Sequence, residues 1–236
     1  MKRKILIAVM LIISIGALSA CSFYDQKNND ALKFKEEYES LNGTRNENGK
    51  VIRNVTIDDN NPMKYATAAD IVKMVQNKET FVVYFGFASC PWCRSVVTNL
   101  IQASLDLGID TIYYVDVTDI RDTMKLGNDG EIVIENEGSH EYFQLLEMFD
   151  DVLSEYTLKN SDGEIVYTGE KRIFAPNIIS VVNGNVEDLT TGISEKQTDG
   201  YMELTNEMNQ ESYNLIKCTI QCVADEKNTC SAKSVC

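Results

Sequence analysis

The spacing of apolar residues changes repeatedly along the chain, and each change marks an element. Phe81 to Phe87 is an unbroken apolar run rich in β-branched and aromatic residues, which predicts a strand buried on both faces. Val96, Val97, Leu100, Ile101, Ser104 and Leu105 then recur at helical spacing, with Gly108 as the C-cap. Thr111 to Asp116 is the next strand. Strand, helix and strand in that order predict parallel pairing through a right-handed crossover. Upstream, Thr67-Ala-Ala-Asp70 has the form of a capping box and opens a helix carrying Ile71, Val72, Met74 and Val75.

Downstream of Asp116 the pattern is shorter and more broken. Asp119 to Lys125 reads as a short helix, Asn128-Asp-Gly130 as a turn and Glu131 to Glu135 as a short strand. Ser139 caps a clearer helix with a stripe of Tyr142, Phe143, Leu145, Leu146, Phe149, Val152 and Leu153. A turn at Asp162-Gly163 leads into a strand from Glu164 to Thr168. Ile178 to Val182 and Val186 to Thr190 flank Asn183-Gly184, a strong hairpin signal. Tyr201, Leu204, Met208, Leu215 and Cys222 recur at helical spacing from Asp199 to about Val223, the closing helix.

The N-terminal quarter is different in kind. Lys2-Arg3-Lys4 precedes an uncharged apolar stretch from Ile5 to Leu18 and then Leu18-Ser19-Ala20-Cys21, so residues 1–20 read as an export signal peptide. That ending resembles the lipobox of bacterial lipoproteins, which implies lipidation at Cys21 and anchorage to the outer face of the cell membrane; an uncleaved anchor and an ordinary secreted form are the alternatives. Residues 21–62 are rich in Asn, Lys, Glu and Asp and read as a tether, with a short helix at Leu32 to Leu41 and alternation at Val51 to Ile57 as its ordered elements. Lys and Arg number 22 against 36 Asp and Glu, a formal net charge of −14, and removing residues 1–20 takes three positive charges away. Such a surface repels nucleic acid and needs no special partner to explain it.

The chemistry concentrates at Ser89-Cys90-Pro91-Trp92-Cys93-Arg94, where strand meets helix. With Cys90 as N-cap, Pro91 takes the first helical position, where its missing N–H costs nothing, and free amides point back at the sulfur. Those amides, the helix end and Arg94 are expected to stabilise a thiolate, lowering its pKa from about 8.5 to about 7. Cys93, three residues on, shares the helix face and can form a reversible disulfide with Cys90. If Cys21 is lipidated, six cysteines remain, an even number suited to an oxidising compartment. Cys218, Cys222, Cys230 and Cys236 read as structural disulfides of a C-terminal tail, 217–236, with their pairing open and a zinc site as the alternative. His140, the only histidine, lies in a first helical turn and reads as a surface residue, which gives a Cys/His protease little support.

A helix, a strand leading into Cys-x-x-Cys on a helix, a crossover strand, and X-Pro opening an antiparallel hairpin before a final helix resemble the thioredoxin fold. The resemblance runs from about Tyr65 to Glu211 and implies an α/β domain, 63–216, with a mixed sheet flanked by helices. It also implies that Pro176 is cis and faces the cysteine pair, with Ala175 and Trp92 contacting the substrate. There are two departures. Tyr84 stands where that family carries a buried aspartate, and about residues 120–172 form an insertion before the proline strand. Cys-Pro-Trp-Cys is neither the Gly-Pro version of thioredoxin nor the Pro-His version of the periplasmic oxidant. Closer resemblances are thioredoxin-like lipoproteins and the bacteriocin-transport accessory proteins of Gram-positive bacteria.

The expected function is a membrane-anchored thiol-disulfide oxidoreductase with Cys90 as nucleophile and Cys93 as resolving thiol. Its expected partners are protein or peptide thiols and disulfides and a membrane redox partner, with no cofactor and no metal. A peptide-binding or export accessory module on the same fold is the alternative from another class. A solute-binding lipoprotein fits poorly, since two lobes need a longer chain.

Overall fold

The computed structural model describes residues 29–227 of the 236-residue chain. Expectations for residues 1–28, including the signal peptide and Cys21, and for Cys230 and Cys236 lie outside the described residues. Among the described residues, no helix is long and apolar enough to cross a membrane.

A five-stranded mixed sheet forms the centre, in the order β1 (Met63–Tyr65), β3 (Ile112–Asp116), β2 (Phe81–Gly86), β8 (Asn177–Val182) and β9 (Asn185–Thr190). The first three are parallel to one another, and β8 runs antiparallel to both of its neighbours, β2 and β9. Helix α3 (Pro91–Asp106) makes the crossover from β2 to β3. Every residue of β2 is buried, as the unbroken apolar run requires, because helices cover both faces. Val82 and Tyr84 point to the layer of α3 and α5 (Asn206–Lys227), with Val96, Leu100, Ile216 and Ile220. Phe81, Val83 and Phe85 point the other way, to Ile71 of α2 (Ala68–Gln76) and Leu145 of α4 (His140–Met148). The capping box of α2 is present in full: the Thr67 side chain accepts from the Asp70 N–H, and the Asp70 carboxylate accepts from the Thr67 N–H.

Residues 29–62 correct the expectation of a tether. A helix over residues 29–39, α1, places Phe34 and Tyr38 one turn apart on its inner face, both fully buried. Ile52, Val55 and Ile57 follow them into the core. The polar residues that make this segment look unfoldable serve as backbone partners. The Asn42 side chain donates to the Val55 carbonyl at 2.8 Å and accepts the Val55 N–H at 3.0 Å, and Asn61 reaches the Ala31 carbonyl at 2.8 Å. An irregular segment without strand partners needs such side chains to satisfy its buried amides.

Between β3 and β8 lie two hairpins outside the sheet: β4 (Thr123–Leu126) with β5 (Ile132–Asn136), and β6 (Ser154–Lys159) with β7 (Ile165–Arg172). The expected helix at Asp119 to Lys125 is replaced by β4, and β6 follows a helical stripe that ends earlier than expected, at Met148. The bases of the two hairpins are joined by a buried ion pair. Arg172 Nη1 lies 3.3 Å from Asp122 Oδ1, Nη2 donates to the Asp122 carbonyl at 2.7 Å, and the guanidinium stands 4.0 Å over the Tyr156 ring.

Candidate functional site

The register of the central strands assembles the site. Phe85 of β2 pairs with Asn177 of β8, so the loop after Gly86 and the residues just before Asn177 meet at one end of the sheet. The Ala175–Pro176 peptide bond there is cis. The buried Asn177 side chain accepts the Phe174 N–H at 2.6 Å, closing the turn around the proline.

Cys90 is the N-cap of α3 with extended backbone, and Pro91 occupies the first helical turn. The Cys90 sulfur accepts the Cys93 N–H at 3.3 Å and lies 3.3 Å from the Ala175 carbonyl, to which its S–H donates. Cys90 retains 4% of its surface and Cys93 none, so only the first sulfur can meet another molecule. Trp92, Phe174, Ala175, Pro176 and Ile193 line an adjoining groove of about 420 Å³. The loop at Gly200 packs directly on the motif: a Cβ there would stand 2.9 Å from Pro91 Cβ and 3.3 Å from Trp92. Only a residue without a side chain lets that loop lie against the motif.

The two thiols are pushed in opposite directions. Hydrogen bonding from Cys93 draws the Cys90 pKa below the ordinary thiol value; burial opposes this, and the Cys93 and Trp92 amides and the Arg121 charge reinforce it. Cys93 is driven well above that value, first by burial and then by its bond to Cys90. Hydrogen bonding to Tyr84 pulls the Cys93 value down. Such a pair has one thiol ready to attack and a second that stays protonated until it is needed.

Arg94 has a different task from the expected one. Its guanidinium is buried and donates to the carbonyls of Arg53 (2.6 Å), Tyr38 (2.8 Å) and Ala88 (3.0 Å) and to Asn42 Oδ1 (2.7 Å). It clamps residues 38–53 onto α3, and the cation that bears on Cys90 is Arg121. Arg121 sits just before the hairpins, its guanidinium 5.4 Å from the Phe87 ring centre. The clamp continues through Arg53, whose guanidinium donates to the carbonyls of Gly200 and Met202.

The structure therefore brings Cys90, Cys93, Trp92, Ala175 and Pro176 together and engages the Arg94 guanidinium with the carbonyls of Arg53, Tyr38 and Ala88. Cys218 and Cys222 lie one turn apart on α5, Cys218 exposed and Cys222 half-buried near Ser180 and Asp188. Four residues beyond Cys222, Glu226 accepts from Asn183 at 2.6 Å, at the end of the sheet opposite Cys90. Neither a protein-family model nor a curated protein matches this chain.

Proposed function

We propose that this chain is a thioredoxin-like, membrane-anchored thiol-disulfide oxidoreductase working outside the cytoplasm. The observation that carries the reading is the Cys90 sulfur at the start of α3, held by the Cys93 amide and facing the Ala175 carbonyl of the cis Ala175–Pro176 bond. In the reducing direction the Cys90 thiolate attacks a substrate disulfide. One substrate sulfur departs as a thiolate and a Cys90–substrate disulfide forms. Cys93 gives up its proton and attacks the Cys90 sulfur; the Cys90–substrate bond breaks, and the departing substrate sulfur takes the electron pair and a proton. Two electrons pass from the pair to the substrate. The reverse sequence oxidises a dithiol.

The groove beside Trp92 and Pro176 fits an extended peptide segment better than a deep-seated small molecule, because it is open and runs along the motif. A Cys93→Ser variant expressed in cells tests the reading. It is expected to accumulate mixed disulfides through Cys90 that a reductant releases. Failure to trap any, together with a wild-type pair that does not cycle with a dithiol, would replace the enzyme with the peptide-binding module.

A further inference from the structure

The buried side of the cysteine pair holds an arrangement that the exchange chemistry above does not use. The Tyr84 hydroxyl and the Cys93 sulfur border the same gap over Gly86. A Cβ on Gly86 would lie 2.6 Å from Tyr84 Oη and 3.1 Å from Cys93 Sγ, so glycine keeps the two in reach of each other. Behind Tyr84, its hydroxyl pairs with that of Tyr38 at 2.9 Å, and both rings are fully buried. The Tyr84 ring stacks on Tyr114 at 5.6 Å. Tyr114 in turn donates to Glu37 at 2.9 Å, so that carboxylate is held on Tyr114. Arg94, whose guanidinium bonds the Tyr38 carbonyl and lies 5.7 Å from the Tyr38 ring centre, is a cation that bears on both phenols.

We propose that Tyr84, positioned by Tyr38, donates a hydrogen bond to the Cys93 sulfur as it becomes a thiolate and thereby sets the rate of the resolving step. The proposal rests on the oxidoreductase reading. Cys93 has no exposed surface, so the negative charge it must carry during attack has to be stabilised by the protein. The groups that bear on it are Cys90 and the Phe87 backbone, Tyr84 from β2 and Tyr38 from α1. Burial drives both phenols well above their ordinary pKa, so they stay protonated and act as donors, not as bases. The order Tyr38 O–H to Tyr84 O, then Tyr84 O–H to sulfur uses each proton once. The Cys93 proton leaves with the departing substrate thiolate, and the tyrosines finish with the protons they began with. Hydrogen bonds to a charged sulfur are stronger than those to the thiol, so this contact selectively favours the attacking state.

Tyr84→Phe keeps the ring on Tyr114 and removes the hydroxyl. The reduced protein is mixed with a small aromatic disulfide, and samples are acid-quenched and mapped by mass spectrometry. The lifetime of the mixed disulfide on Cys90 then reports the resolving step. The expected result is a lifetime about tenfold longer than in the wild type, with its pH midpoint raised by about one unit, while formation of the mixed disulfide changes far less. Unchanged lifetime and midpoint in a folded Tyr84→Phe protein would overturn the proposal. Should that variant not fold, Tyr38→Phe decides by the same two readouts, with a smaller change in the same direction expected and no change contradicting it. A wild type that forms no mixed disulfide on Cys90 would instead remove the oxidoreductase reading itself.

Discussion

Cys90 and Cys93 differ by three positions in sequence and by opposite pushes on their thiols. Because the largest influence on Cys90 is the hydrogen bond from Cys93, its alkylation rate should rise with pH about a midpoint below the free-thiol value of about 8.5. Replacing Cys93 with Ala removes that donor and leaves burial opposing the amides, so the midpoint should move upward; iodoacetamide kinetics across pH would measure both. An unmoved midpoint would mean that the amides and Arg121 carry the stabilisation. Arg94 offers the complementary test. Arg94→Met strips the Tyr38, Arg53 and Ala88 carbonyls of a donor, and urea unfolding should show a loss of roughly 2–4 kcal/mol. The Cys90 alkylation midpoint should stay close to its wild-type position. A thiolate stabiliser would give the reverse pattern.

Among the elements, the motif, the crossover and the hairpin were legible because each is written locally. Cys90-Pro91 caps and starts a helix, Asn183-Gly184 makes its own turn, and Phe81 to Phe87 alternates between two covered faces. The residues that were not legible act across long stretches of chain. Tyr38 meets Tyr84 over 46 positions, and Asn42, Asn61 and Arg53 act on backbone groups that no periodicity reveals. Arg94 looked like a partner for the nearest sulfur because sequence distance is all that a motif displays; the helix turns it inward instead. The N-terminal helix is read from its spacing but its docking is not, since two buried aromatics among charged residues outweigh the tether-like composition around them. Phe34→Ala should accordingly cost roughly 3–5 kcal/mol by chemical denaturation, whereas loss of a tether residue would cost nothing measurable.

At the scale of the whole molecule, residues 29–62 are part of the candidate site and not a strap leading to it. α1 supplies Tyr38 behind Tyr84 and Cys93, Arg53 holds the Gly200 loop against Trp92, and Arg94 ties both to α3. Arg121, just before the first hairpin, bears on the Cys90 sulfur, and the Arg172–Asp122 pair joins the bases of the two hairpins. Cys222, a free thiol on α5, lies near Ser180, and the C-terminal part of that helix reaches the end of the sheet opposite Cys90.

The central claim is that Cys90 and Cys93 form a reversible disulfide. Equilibrating the purified protein across a dithiothreitol redox series, quenching with acid and mapping the bonds by mass spectrometry measures this directly. The Cys90–Cys93 assignment predicts one two-electron transition in which an intramolecular bond between these two residues appears and disappears. A pair that stays a dithiol throughout, or cysteines that bond elsewhere, would contradict it.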